Sequence, residues 1–270
     1  MSTLRSLMAD SRLPRLEFQM LWQHVLDVPR VWLIAHDTDA LSTEQLQQFS
    51  LLEARRLAGE PMAYILGQRE FMGHDFVVSS DVLIPRPETE LLVETALQEL
   101  HGKSQPRVLD LGTGSGAVAI SIALACPQAT VVATDLSQPA LVVANENANR
   151  LGAKVQFAQG SWYDALTGNK GFDLIVSNPP YIAACDPHLA QGDVRHEPLG
   201  ALTDHGDGLA AIRLIISGAL QWLKPGGALF LEHGWDQAAH VRELFEFSRF
   251  ERVLSLKDLA DIERVTGGYL

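Results

Sequence analysis

The sequence predicts an α/β protein, a doubly wound sheet preceded by a small helical segment, and three observations carry that prediction. From Arg107 onward, short apolar strand-like runs alternate with amphipathic helical stretches across short connections. A glycine-rich turn, Gly112-Thr113-Gly114-Ser115-Gly116, follows the first of those strands and opens a helix. Residues 1–70 show helical periodicity and no convincing strand.

The elements follow in chain order. Leu16–Leu26 and Leu46–Leu57 are amphipathic, and Ser42 followed by Gln45 has the spacing of a capping box, which satisfies free backbone donors at a helix start. Residues 1–70 are therefore read as a helical N-terminal domain. Phe71–Leu83 mixes Phe, Val and Gly in short runs and predicts a β-hairpin, with 71–85 as a linker. Leu83-Ile84-Pro85-Arg86-Pro87 stops regular structure, and Glu88–Leu100 predicts a helix with Pro87 near its first turn. In the remaining domain, 86–270, strands are predicted at Arg107–Leu111, Thr130–Asp135, Val155–Gln159, Phe172–Ser177 and Ala228–Glu232. Helices are predicted at Ser115–Ala125, Pro139–Arg150 with Ser137 as cap, and near Leu209–Leu223.

Composition bounds the function. The chain has 270 residues, 47% hydrophobic and 20% charged, a globular balance that excludes disordered, collagen-like and coiled-coil classes. The net charge of −12 argues against a chain that grips nucleic acid, whose phosphates demand a Lys/Arg footprint. Charges and a proline interrupt the N-terminus where a secretory signal needs an apolar run, and no stretch approaches the ~18 apolar residues of a membrane span. Cys126 and Cys185 are too few for a disulfide framework. The predicted location is cytoplasmic, with no membrane partner. The long polar segment 183–206 reads as a lid or binding loop; its Cys185, His188, His196 and His205 lack the spacing of a metal site, and none is predicted.

Three motifs carry chemistry. Glycines in the 112–116 turn let backbone approach a ligand, and the helix start adds free N–H groups; a bare βα turn is the simpler reading. Asp135 closes the second strand, where a carboxylate can accept hydrogen bonds from ribose hydroxyls or favour the next helix's N-terminus. These two alone do not separate a dehydrogenase from a methyltransferase. Asn178-Pro179-Pro180-Tyr181 does, at the carboxyl end of the fourth strand. Adjacent prolines stiffen the segment and remove two donors. Asn178 then offers a side-chain oxygen and Pro179 a backbone oxygen to a planar amino group, with Tyr181 as a flat wall. Trp162, after the third strand, can cover a purine or cap the core, and Asp164 can meet an adenine amino group.

Together DLGTGSG (110–116) and NPPY (178–181) resemble the class I S-adenosylmethionine-dependent amino-group methyltransferases. LIPRPETE (83–90), VRHEP (194–198), HGDGL (205–209), LKPGG (223–227) and LEHGW (231–235) narrow the resemblance to the peptide chain release factor N5-glutamine methyltransferases. It implies a Rossmann-like seven-stranded sheet with its last strand pair antiparallel, a helical N-terminal domain that docks substrate, and a β-hairpin linker. It implies S-adenosyl-L-methionine as cofactor, contacted by Gly112, Thr113, Gly114, Ser115, Gly116 and Asp135, with Trp162 against adenine and Asn178 touching both ligands. The substrate implied is the glutamine of the Gly-Gly-Gln motif in bacterial class 1 release factors, held by Asn178, Pro179, Pro180 and Tyr181, with Asn178, Pro179 and Tyr181 as the catalytic set. The alternative is an adenine-N6 methyltransferase of nucleic acid, since NPPY suits an exocyclic amine equally. One departure stands in the tail, where Asp261-Ile262 replaces an expected Gly-Asn or similar pair. Arg86, Glu88 and Glu90 match the family motif, although helix-dipole placement suffices for the two carboxylates.

Overall fold

The computed structural model describes residues 2–168 and 170–270 and divides the chain into two units, Met1–Gly67 and Gln68–Leu270. The first unit holds helices α1 (Leu4–Asp10), α2 (Arg15–Leu26), α3 (Arg30–Ala35), α4 (Thr43–Leu57) and α5 (Met62–Leu66). The Ser42–Gln45 capping box forms at the start of α4, and a second one, Thr3 with Ser6, starts α1. Helical spacing puts Phe18, Leu21 and Trp22 on one face of α2, all buried. Trp22 stacks on Phe49 of α4 at 4.5 Å and 9°, with Phe18 edge-on to Phe49 at 5.2 Å. Arg56 of α4 grips Glu17 of α2 through two bonds of 2.9 and 2.8 Å.

The second unit opens with a hairpin of β1 (Gln68–Phe71) and β2 (His74–Val77). The hairpin starts earlier than the 71–83 expected, and residues 78–85 form no strand. Polar Gln68-Arg69-Glu70 hid the first strand, because three of its four side chains are exposed. The turn needs a left-handed Met72, φ 51°, and its amide donates to Glu90 Oε1 at 2.8 Å. Glu90 is thereby a structural residue of the turn.

There follow α6 (Glu90–Leu100), β3 (Arg107–Leu111), α7 (Ala117–Ala125), β4 (Thr130–Asp135), α8 (Gln138–Leu151), β5 (Val155–Gln159), β6 (Phe172–Ser177), α9 (Leu199–Leu202), α10 (Ala210–Ala219), β7 (Leu223–Glu232), α11 (Ala238–Phe247), β8 (Glu251–Lys257) and β9 (Glu263–Tyr269). The last seven strands form one sheet in the order β5-β4-β3-β6-β7-β9-β8. The first five are parallel; β9 runs antiparallel to both its neighbours. Alternate strand residues face opposite layers: Val108, Leu174 and Val176 pack with α6 and α7, while Leu109, Ile175 and Leu229 pack with α10 and α11. Both faces are covered, so the central strands read as unbroken apolar runs.

Some boundaries move. The helix expected from Ser115 begins at Ala117, because Gly116 is a left-handed cap with φ 83°. The helix expected to reach Leu223 stops at Ala219, and Leu223 instead starts β7, five residues before the expected strand. Lys224-Pro225-Gly226-Gly227 reads as a turn, yet it lies inside β7 opposite an irregularity in the β6 pairing, where ladder donors are not all required. The unusual tail pair also resolves: Asp261 occupies a left-handed position, φ 63°, of the kind Gly and Asn favour and Asp tolerates. Asp258 Oδ1 accepts the amides of Ala260 and Ile262 and holds the turn.

Gly267 of β9 sits opposite Phe230 of β7, and an added Cβ would collide with the Phe230 ring. Gly267→Ala is expected to lower stability by ~1–3 kcal/mol through overpacking, seen as a reduced urea midpoint at unchanged m-value.

Candidate active site

Chain order reverses at β3: the chain leaves it for β4 and β5 on one side, then returns to β6 and β7 on the other. In open α/β sheets ligands bind at such a switch point, beyond the carboxyl ends of the strands. Leu111 and Ser177, the last residues of β3 and β6, are register partners, and Ser177 Oγ donates to the Leu111 carbonyl at 2.7 Å. The glycine turn and the Asn-Pro-Pro-Tyr elbow therefore emerge side by side. They border a cavity of ≈ 480 Å³.

Eight of the anticipated residues line that cavity: Gly112, Thr113, Gly114, Ser115, Asp135, Trp162, Asn178 and Pro180. The Gly112 and Thr113 amides donate to the Thr134 carbonyl at 2.8 and 2.9 Å, which folds the turn back onto β4. Gly112 has φ 73°, and a Cβ there would stand 3.3 Å from the Trp162 ring, so glycine lets the indole lie against the turn. Trp162 itself is held left-handed, φ 48°, a strained backbone of the kind concentrated at ligand sites. Trp162 lines the cavity and packs against the core beneath, a placement open to either sequence reading.

Asp135 Oδ2 accepts the Gly114 amide and Oδ1 the Ser137 amide, each at 2.8 Å. Burial raises its pKa while these backbone bonds oppose the rise. Each oxygen keeps a further lone pair for a hydroxyl. A carboxylate pinned by two amides, a glycine-lined turn and an indole face suit a nucleoside cofactor: diol, chain and flat base.

Four anticipated residues fall elsewhere. Gly116 does not line the cavity; a Cβ there would meet Ile120 Cδ1 at 2.7 Å, so it serves the packing of α7. Pro179 is buried and off the cavity wall. Tyr181 is not a cavity wall either: its ring packs against the α10–α11 layer and its hydroxyl donates to Glu232 Oε1 at 3.1 Å. Asp164 is exposed and also outside the cavity.

Other residues, outside the anticipated contact set, line it as well. Thr89, 4% exposed, accepts Asn178 Nδ2 on its hydroxyl at 3.0 Å. Arg86 lines the cavity and pairs with buried Glu197, whose other oxygen accepts the Ile84 amide at 3.1 Å. That pair ties the Pro-Arg-Pro stretch to the 183–206 segment, which folds into two 3₁₀ turns and α9 and supplies Pro198, Gly200 and Ala201 to the wall. The His-Gly-Asp-Gly motif is structural: Asp204 accepts the amides of Gly206, Gly208 and Ala210, fixing the entry to α10.

The strand order, the switch-point cavity and the amide-pinned carboxylate define a class I methyltransferase. Residues 3–67 match the PrmC N-terminal domain and residues 84–194 the Methyltransferase small domain. The chain is 60% identical, over the whole of both chains, to the release factor glutamine methyltransferase of Bordetella pertussis. It is 51% identical to that of Burkholderia pseudomallei, over all of this chain and 96% of the other. The solved 16S rRNA N2 G1207 methyltransferase of T. thermophilus, in complex with AdoMet and guanosine, shares the fold with a TM-score of 0.55 at 22% identity, over 75% of this chain and 49% of that one. The chain belongs to the release factor glutamine methyltransferase family.

Asp110, 1% exposed, lines the cavity and accepts the Thr113 hydroxyl at 2.7 Å. Burial pushes its carboxyl up to about 7; the Thr113 bond opposes the rise and the Asp135 charge adds to it. An acid whose folded pKa exceeds its unfolded value contributes stability that is full below the unfolded pKa and lost as pH rises through the folded one. Asp110→Asn is therefore expected to gain stability over wild type by on the order of 3 kcal/mol between about pH 4 and about pH 8. Urea midpoints at each pH measure it, and parallel curves for the two proteins would contradict it.

Proposed function

We propose that the protein transfers a methyl group from S-adenosyl-L-methionine to the side-chain amide nitrogen, N5, of the glutamine in the Gly-Gly-Gln motif of bacterial class 1 release factors, modulating translation termination in the cytoplasm. One observation carries the reading beyond family membership: Asn178 at the end of β6 commits its Nδ2 to Thr89, and its Oδ1 makes no hydrogen bond among the described residues. An acceptor thus borders the cavity, which is what an incoming –NH₂ requires.

The cofactor, when bound, supplies a methyl group already made electrophilic by its sulfonium sulfur. The difficulty left to the protein is the nucleophile, because the amide lone pair is delocalised into its carbonyl. In our reading Asn178 Oδ1 accepts an amide hydrogen and fixes the nitrogen's direction. Holding a reacting group in line can supply ~7–11 kcal/mol of the barrier. The acceptor strengthens as positive charge grows on nitrogen, so it favours the transition state over the bound amide. No base is needed before transfer, because the methylated nitrogen becomes acidic and then loses its proton. A glutamate carboxylate would set lone pairs against the same acceptor and be rejected.

Gly112, Gly114, Asp135 and Trp162 are assigned to the cofactor, and Asn178 to both ligands. Pro180 borders the glutamine pocket, and Tyr181 supports the elbow from behind. The helical unit is assigned to docking the release factor; Val31, Ile34 and Leu51, 62–70% exposed, offer it apolar contacts. A protein substrate suits the net charge of −12 better than nucleic acid does.

Incubation with a class 1 release factor and S-adenosylmethionine should add one methyl to the tripeptide glutamine, read by peptide mass spectrometry. Asn178→Ala should lower turnover on the order of 10²–10³-fold, while cofactor affinity, measured by calorimetry, falls far less. Equal turnover in mutant and wild type would remove Asn178 from its role.

A further inference from the structure

Glu232 ends β7 at 1% exposure, behind the cavity and outside its lining. A carboxyl so deep in a sheet core is costly unless it is paired. It receives the Tyr181 hydroxyl on Oε1 at 3.1 Å, while Oε2 has no hydrogen-bond partner among the described residues. Register pairs Ser177 with Leu231, so Asn178 leaves β6 beside Glu232 and Thr89, bonded to Asn178, is brought to the same place; its hydroxyl lowers the Glu232 pKa while Oε2 stays without a hydrogen bond. The same Thr89 oxygen accepts Asn178 Nδ2 at 3.0 Å.

A hydroxyl has one proton to give. If Thr89 accepts from Asn178, its own proton is free to point away, and its hydroxyl makes no other hydrogen bond among the described residues. An ionised carboxylate only accepts. With Glu232 ionised, the chain therefore has one polarity: Asn178 Nδ2 donates to Thr89, Thr89 points its proton toward Glu232, and Asn178 Oδ1 faces the cavity. With Glu232 protonated, the polarity can reverse. Thr89 then accepts from the carboxyl and donates to Asn178 Oδ1, and the Asn178 amide turns its –NH₂ toward the substrate amide, donor against donor.

We propose that Glu232 is a positioning residue for methyl transfer, acting through Thr89 to set the direction of the Asn178 amide and through Tyr181 to hold the Asn-Pro-Pro-Tyr elbow. The inference rests on Asn178 being the acceptor of the substrate amide. Protonation of Glu232 switches the site off. Its carboxyl is pushed up to about 7 by burial; the Thr89 and Tyr181 hydroxyls and the Arg264 charge on β9 oppose the rise, and Glu88 adds to it. Arg86 acts on the Tyr181 phenol that donates to Glu232, not on Glu232 itself.

The test is the pH profile of kcat for release-factor methylation by wild type, Glu232→Gln, Thr89→Val and Thr89→Ser, with cofactor affinity measured in parallel. Wild type should lose kcat on an acidic limb near neutrality. Glu232→Gln replaces an acceptor with an amide that can donate to Thr89, so kcat should fall about tenfold or more, the acidic limb should flatten, and cofactor affinity should hold. Thr89→Ser, which keeps the hydroxyl, should be at least about tenfold more active than Thr89→Val. A limb unchanged in Glu232→Gln at near-wild-type kcat would belong to Asp110 and would overturn the inference. Should Glu232→Gln not fold, the Thr89 pair decides: equal activity of Ser and Val overturns the inference, and a large gap supports it. No methylation by wild type would instead overturn the functional reading itself.

Discussion

The parallel pairing of β3 with β6, locked where Leu111 meets Ser177, is the constraint on which the site depends. Each motif is only a short loop and has little stability of its own. The glycine turn becomes a cradle because its amides fold onto the Thr134 carbonyl. The proline elbow becomes a recognition surface because β6 ends beside that cradle. A slip of one residue in this register would turn every side chain of β6 to the opposite layer and separate the two loops. The apolar residues on both faces of β3 and β6 make such a slip expensive, so hydrophobic packing specifies polar chemistry at the strand ends.

Two carboxyls are buried at the strand ends, Asp110 on β3 and Glu232 on β7, and both are pushed up to about 7. Burying an ionisable group weakens a fold unless it is fully satisfied, and Glu232 Oε2 is not. An apolar side chain of similar volume at either place would avoid that cost. That the chain keeps acids on either side of the cavity is consistent with local stability being given up where function needs a directed hydrogen bond. Asp135 shows the contrasting solution, a partly buried carboxylate held by two backbone amides.

The helical unit and the sheet unit each have an apolar core, the first around stacked Trp22 and Phe49. Capping boxes begin α1 and α4, so the short helices of the first unit have defined starts despite lengths at which isolated helices are marginal. In the sheet unit the corresponding work is done at the β9 edge: Gly267 admits the Phe230 ring, and Tyr269 meets that ring edge-on at 6.0 Å. The Gly-Gly-Tyr of the tail is thus a packing signature.

The strands β3 to β6 were legible from the sequence to the residue, because buried parallel strands are short apolar runs between turn signals. So were the Ser42 and Ser137 caps, whose spacing is local chemistry, and the positions of the glycine turn, Asp135 and Asn178 at strand ends. The early start of β1 and the extension of β7 through Lys224-Pro225 were not, since their residues are polar or turn-like and only strand partners make them strands. Nor could the sequence place Tyr181 on Glu232, Thr89 under Asn178 or Arg86 against Glu197, pairs separated by 51, 89 and 111 positions. Local propensity and periodicity act over a few residues and choose the elements. Which distant side chains share a hydrogen bond is settled only when the sheet closes and burial obliges each polar group to find its partner.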